Sequence, residues 1–334
     1  MVDVTADFIC PQCSRSLGLE SSPITCCGKS LDSENGIINL LGPTAYVFSK
    51  ERDSEIAELL VQTCLKDEPI QQSILRPAVM VDAVQLLRKV GLKDAEIDQI
   101  QVQTPIIQVV NNAREYFCSP SQRLKTPTLK FISSELQLGE GDHLLDIGCS
   151  AGRYLLEFAD SGACLTGIDL DGFALQIARH AWRYSGANPL PVLCVGSVLE
   201  LPFRPNLFSH VTAWVVLGLV PISKALTQIR HTLQPGGTFA FTIEGPGFLD
   251  EMWQSSPTST RASLLRWWLG NRLMSAGVEW QGRKWIGRIA GLTQYSAKTI
   301  ERIVAYAGYR VEKVEVLTRF GGAERLIGVV AKKA

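Results

Sequence analysis

The spacing of apolar residues changes once along the chain, and the change divides it. Between about Ser49 and Leu138, stretches such as IAELLVQTCL and VDAVQLLRKVGL place apolar residues three to four apart. That is the period of a helix with one buried face, and no strand alternation competes with it. From His143 onward, short apolar runs alternate with helical segments. HLLDIG, CLTGIDL, PVLCVGS, HVTAWVVL and TFAFTIEG read as strands, with RYLLEFAD, GFALQIARHAWRYSG and ISKALTQIRHTL as helices among them. The end, SAKTIERIVAYAGYRVEKVEVLTRF and then RLIGVVAKK, reads as one more helix and two more strands. Such alternation predicts an α/β fold, a mainly parallel sheet covered on both faces.

Composition adds bounds to this picture. At 334 residues the chain is long enough for one large core and a smaller module. Lys+Arg and Asp+Glu each number 33, so no global basic field points to nucleic acid or an acidic membrane. The start, MVDVTADFICPQC, lacks the basic residues and long apolar run of a signal peptide. The longest nearly unbroken apolar run, Val211–Ile222, is too short to span a bilayer. Of nine cysteines, Cys64, Cys118, Cys149, Cys164 and Cys194 are scattered singly, which suits a reducing compartment. The expectation is a cytoplasmic protein with no transmembrane segment.

Chemistry enters at LLDIGCSAGR, Leu144–Arg153, where the first strand of the alternating region runs through Asp146 into a small-residue turn. Ligands of such sheets sit at the C-terminal ends of the strands. The pattern D-x-G-x-x-x-G differs from the G-x-G-x-x-G of dinucleotide enzymes, and Arg153-Tyr154 does not supply the Lys-Ser/Thr of a P-loop. An acid just before the turn repels a diphosphate and suits a ligand with a cationic amine and a sulfonium, which favours S-adenosylmethionine. The second strand ends in Asp169, 23 residues beyond Asp146, where a carboxylate can accept hydrogen bonds from both ribose hydroxyls. The third strand ends in VGSVLELPF, a small loop fit to border an adenine, and HTLQPGG opens the fifth strand with a turn.

Together these stretches resemble the class I S-adenosylmethionine-dependent methyltransferases, in the small-molecule, type 11-like branch. The resemblance covers roughly 138–245 and resumes over 296–333. It implies a Rossmann-like, doubly wound sheet of about seven strands with the last antiparallel. It also implies that Asp146, Gly148, Ser150 and Gly152 lie at the methionine part of the cofactor, Asp169 at the ribose, and Ser197 and Val198 at the adenine. Two positions depart from the family, which often has glycine where Ser150 stands and an acid where Ser197 stands.

Cysteines crowd the first 27 residues: Cys10-x-x-Cys13, then Cys26 and Cys27. A C-x-x-C knuckle presents two thiolates to one metal. The stretch through DSENGIINLL resembles the small zinc-ribbon module at the N-terminus of some methyltransferases, including a bacterial ribosomal-RNA guanine methyltransferase. That implies a structural Zn²⁺ on Cys10, Cys13, Cys26 and Cys27, although adjacent cysteines replace the expected spaced second pair. The expected organisation is a zinc-ribbon-like module over 1–42, a helical segment over 43–138, and the methyltransferase domain over 139–334.

The acceptor side is less defined. The fourth strand ends TAWVVLGLV, without the N/D-P-P-Y motif of base amino methylation and without a histidine. His143, His180, His210 and His231 read as packed or solvated residues. The best acid or base is Glu244, at the end of the fifth strand, with orientation of a loop or substrate as its other reading. An insertion over about 247–291 carries Trp267, Trp268, Trp280 and Trp285 among basic residues. It reads as a lid over an aromatic or greasy molecule, as an RNA-stacking surface, as an interfacial segment, or as a packed helical cap. The expectation is methyl transfer to N or O of a small, apolar or aromatic metabolite of the specialised-metabolism type. An RNA-base methyltransferase and a non-catalytic adaptor keeping the fold are the alternatives.

Overall fold

The change of spacing at His143 corresponds to strands whose residues are buried on both faces, as the apolar runs require. In the computed structural model the described residues are 8–9, 24–26, 29–34, 37–39, 50–66, 85, 87–103, 126–255 and 293–334. They group into two units, one of 1–126 with 138–204 and one of 127–137 with 205–334.

The first unit holds one sheet. Three strands at its N-terminal end are β1 (Ile24–Cys26), β2 (Lys29–Glu34) and β3 (Ile37–Asn39). Further along come β4 (His143–Ile147), β5 (Cys164–Asp169) and β6 (Val192–Val195). Within this unit the order is β1-β2-β3-β6-β5-β4. β4, β5 and β6 run parallel, and Leu144, Leu145, Ile147, Ile168, Leu193 and Val195 are buried among them. The head strands β1 to β3 pair antiparallel with one another, but β3 pairs parallel with β6, Ile37 opposite Leu193 and Asn39 opposite Val195. The expected head and the expected catalytic sheet are therefore continuous. A second tie lies nearby: the Ile9 N–H donates to the Pro202 carbonyl at 2.8 Å, and the Phe8 ring meets Phe203 at 5.1 Å between centroids.

Helices flank these strands. The segment read as helical contributes α1 (Lys50–Lys66) and α2 (Asp94–Gln103), joined by Arg52 and Glu96 at 3.0 Å. α3 (Pro127–Glu135) belongs to the second unit. After β4, α4 spans only Arg153–Leu156, because the next N–H groups bond three residues back, Glu157 to Tyr154 and Phe158 to Leu155. α5 (Gly172–Ser185) is longer. Asp171 caps its start by accepting from the Phe173 and Ala174 N–H groups, and left-handed Gly186 ends it. α1 meets α5 through Ser54 Oγ and His180 Nε2 at 3.0 Å.

The second unit has the strand order β7-β8-β10-β9, for β7 (Phe208–Trp214), β8 (Leu233–Glu244), β9 (Tyr309–Phe320) and β10 (Ala323–Lys333). β7 and β8 are parallel, and β10 is antiparallel to both β8 and β9. Among the described residues seven strands follow residue 138, the last of them antiparallel, as the Rossmann-like α/β reading requires. The QPGG turn lies inside β8 rather than before it. The strand begins at Leu233, takes a positive φ at Gly236, and shifts register against β7 between Phe208 and His210. α6 (Ile222–Thr232), α7 (Gly247–Ser255) and α8 (Ala297–Tyr306), the last capped by Ser296, complete the unit. Among the described residues no helix is long and apolar enough to cross a membrane.

Candidate functional site

The turn after β4 is built by alternating left-handed residues: Gly148 at φ +68, Ser150 at +49 and Gly152 at +73. Glycine reaches this region without steric cost, whereas a side chain crowds its own carbonyl there. The departure at Ser150 is thus a serine in glycine's backbone geometry. The turn is pinned from one side by β5, since the Gly148 and Cys149 N–H groups both donate to the Ile168 carbonyl, at 2.8 and 3.2 Å. Close approach also demands Gly167, where an added Cβ would meet Cys149 Sγ at 2.7 Å and Leu155 Cδ1 at 2.9 Å.

Asp169 organises the rest. Its Oδ2 accepts from the Ser150 N–H at 2.8 Å and its Oδ1 from the Asp171 N–H at 2.9 Å. One carboxylate therefore joins the turn, the end of β5 and the entry to α5. A carboxylate has about four acceptor sites, so these bonds leave it capacity for a ligand. Burial raises the Asp169 carboxyl to about 6, against the backbone N–H groups of Asp171, Ser150 and Leu170, which favour its charged form. Asp146, 1% exposed, lies within β4 before the turn. At the end of β6 the Gly196 N–H donates to the Asp169 carbonyl at 2.9 Å, drawing the third loop to the second. There Ser197 Oγ accepts from the Leu199 N–H at 3.2 Å, while Val198 is buried beside it. Asp146, Gly148, Ser150, Gly152, Asp169, Ser197 and Val198 thus all fall at the C-terminal ends of three adjacent parallel strands. Cys149 and Cys194 are buried, and burial pushes both thiols up, which leaves them unreactive.

These residues fit S-adenosylmethionine by their donor and acceptor chemistry. The carboxylates suit a cationic ligand, the acceptor capacity left on Asp169 suits a diol, and the positive-φ turn exposes backbone rather than side chain.

In the second unit, Glu244 ends β8 at 4% exposure. Burial raises its carboxyl to about 7, although its own backbone N–H and the charge of Arg325 pull the other way. Its Oε2 has no hydrogen-bond partner among the described residues. β7 ends beside a feature invisible in the sequence: Val215, β-branched, at φ +61, its N–H donating to the Thr242 carbonyl at 3.1 Å. The four histidines sit away from both strand-end clusters or are engaged elsewhere. His143 starts β4, His180 contacts Ser54, His210 contacts Ser209 within β7, and His231 lies on α6.

Other expected residues fall outside the described ones. Trp267, Trp268, Trp280 and Trp285 do, and of the insertion only α7 is described. Cys10, Cys13, Cys27 and the side chain of Cys26 do as well, so the zinc expectation has no side-chain geometry behind it. Among the described residues no group of His, Cys, Asp or Glu is arranged to hold a metal ion. Gly167 is a further residue the turn requires, and its place in GIDL is a readable signal. Gln294 carries no such signal.

Comparison with known proteins bears on the same strands. Residues 144–237 match a family described as a methyltransferase domain. A sterol 4-C-methyltransferase of Caenorhabditis elegans is 31% identical over 109 residues, 32% of this chain and 33% of its own length. A demethylmenaquinone methyltransferase of Symbiobacterium thermophilum is 33% identical over 104 residues, covering 30% and 41%. A ubiquinone biosynthesis O-methyltransferase of Idiomarina loihiensis is 30% identical over 124 residues, covering 37% and 51%. The chain thus spans about a third to a half of the length of these curated relatives. A solved geranyl diphosphate methyltransferase in complex with SAM is similar at a TM-score of 0.47 and 16% identity, over 67% of this chain and 90% of that one, a likeness too loose to add to the assignment.

Proposed function

We propose that this chain is an S-adenosylmethionine-dependent methyltransferase that methylates N or O of a small, apolar or aromatic molecule. One observation carries the cofactor half: the Asp169 carboxylate bonded to the Ser150 N–H at 2.8 Å, which fixes an acid at the second strand end against a left-handed turn at the first. The methyltransferase-domain match over 144–237 supports it.

When bound, S-adenosylmethionine supplies an electrophilic methyl group, and the broken C–S bond leaves its electron pair on a neutral thioether sulfur. This chain's residues hold and orient. We assign Asp146 and the turn of Gly148, Ser150 and Gly152 to the methionine part, Asp169 to the ribose hydroxyls, and Ser197 and Val198 to the adenine. Positioning and exclusion of water carry much of such a displacement. Glu244 takes the proton that an acceptor hydroxyl or amine sheds as its lone pair bonds carbon. A carboxyl near 7 is matched to that task at neutral pH. The names of the relatives include both C- and O-methylation. Glu244 favours an acceptor that arrives with a proton on its heteroatom.

The test is transfer of methyl label from S-adenosylmethionine to cell extract split into RNA, protein and small-molecule fractions. Label is expected in the small-molecule fraction, and Asp169→Ala should abolish both transfer and calorimetric cofactor binding. Label found only in RNA overturns the acceptor assignment. Intact cofactor binding by Asp169→Ala overturns the site.

A further inference from the structure

In the second unit, three buried side-chain atoms on two segments tied by backbone bonds have no hydrogen-bond partner among the described residues. They are Thr242 Oγ1 at 0% residue exposure, Glu244 Oε2 at 4% and Gln294 Nε2 at 2%. Thr242 and Glu244 are two apart on β8, so they project from the same face of the strand. Gln294 joins them through the backbone, since the N–H of the next residue, Tyr295, donates to the Glu244 carbonyl at 3.2 Å. On its other side the Thr293 N–H donates to the Gly218 carbonyl at 2.6 Å, in the short turn Leu217–Leu219 that follows β7. The strained Val215 bonds the Thr242 carbonyl, so the backbone around the cluster is tied from three segments.

A buried polar group without a partner costs free energy, and natural proteins leave few of them. Three near one strand end, beside a Val215 held in a sparsely populated conformation, mark a place where another molecule completes the bonding. The chemistry left over is complementary. Glu244 Oε2 offers an acceptor, the Gln294 amide offers N–H donors, and the Thr242 hydroxyl can do either. Nothing in the proton-transfer role of Glu244 needs Gln294 or Thr242.

We infer that Gln294 and Thr242, with Glu244, form a polar anchor for the acceptor substrate, and that this substrate carries two neighbouring polar groups, one donating to Glu244 and one accepting from Gln294. An ortho-dihydroxy aromatic, or a hydroxyl beside a carbonyl, satisfies that pattern, and a molecule with a single hydroxyl does not. Gln294 is thus a specificity-determining residue. The inference rests on the methyltransferase reading and narrows its acceptor class.

The test uses the full chain loaded with S-adenosylhomocysteine, and calorimetry with 4-tert-butylcatechol and 4-tert-butylphenol as probes. The loaded protein is expected to prefer the catechol by about tenfold, the worth of one buried hydrogen bond. Gln294→Met keeps length and burial and removes the donor. It should bring the two affinities together while S-adenosylhomocysteine binds as before. If Gln294→Met fails to bind S-adenosylhomocysteine, Thr242→Val replaces it and should lower the preference by roughly threefold. Cofactor binding with no preference, or a preference unchanged in these variants, overturns the anchor and leaves the methyltransferase reading intact; buried water would then be what satisfies the three groups. Failure of the wild-type chain to bind S-adenosylhomocysteine overturns the reading beneath it as well.

Discussion

Ser150 carries a β-carbon at φ +49, between two glycines that occupy the same left-handed region. Its N–H is committed to Asp169, so the backbone cannot relax without breaking the link that joins the first two strand ends. A non-glycine residue in this conformation costs about 1 kcal/mol, and glycine's extra freedom in the unfolded chain offsets part of any gain on replacing it. Ser150→Gly should therefore leave stability within about 1 kcal/mol of wild type and cofactor affinity intact. Ser150→Val adds a branched side chain and should weaken cofactor binding by at least about tenfold, read by calorimetry. Val binding as tightly as Ser would place the cofactor elsewhere. At this scale much was readable: Asp146, the glycines and Asp169 stand where their spacing put them. The left-handed Val215 and the Gln294 Nε2, without a partner among the described residues, were not readable. A β-branched residue announces an extended conformation, and a lone glutamine before a helix announces nothing.

Among elements, the joint between the first residues and the loop after β6 has the clearest consequence. Phe203 ends the loop that begins at Ser197 and Val198, and it is fully buried against Phe8. Removing a buried phenylalanine ring costs about 3–5 kcal/mol where the surroundings cannot collapse. Phe8→Ala should lower the unfolding midpoint in denaturant and weaken cofactor affinity several-fold, because the loop proposed to border the adenine loses its support. Ser54→Ala, at the contact of α1 with α5, should change affinity little. Equal affinity loss in both variants would mean general loosening instead. The strand and helix order was legible from period alone, since runs of four to eight apolar residues alternated with amphipathic segments. The pairing of β3 with β6 was not. IIN is too short to declare a partner, and the cysteines beside it drew the reading toward a separate module.

For the molecule as a whole, two raised carboxyls set a pH dependence of stability. Asp169 sits at about 6 and Glu244 at about 7, both raised by burial. A folded-state value above the unfolded one means that the native chain holds the proton more tightly. The associated stability is then complete below pH 4 and is lost as pH rises through 6 and 7. For Glu244 alone the loss amounts to as much as about 3 kcal/mol. Glu244→Gln has no proton to lose, so it should be more stable than wild type at pH 8 and should lose that advantage by pH 4.5, in urea titrations at both values. An advantage that grows toward acid would reverse the sign and refute the burial argument.

The head strands have another effect on the whole. A parallel sheet that stopped at β6 would show a row of unpaired N–H and C=O groups to any other chain with a free strand. β3 occupies that row, and among the described residues the sheet then ends at β1, only Ile24–Cys26 long. A short final strand is a poor template for another chain to continue. The head strands therefore cover this edge of β6, and a chain shortened to begin near Leu138 is expected to self-associate more than the full chain, read by sedimentation velocity.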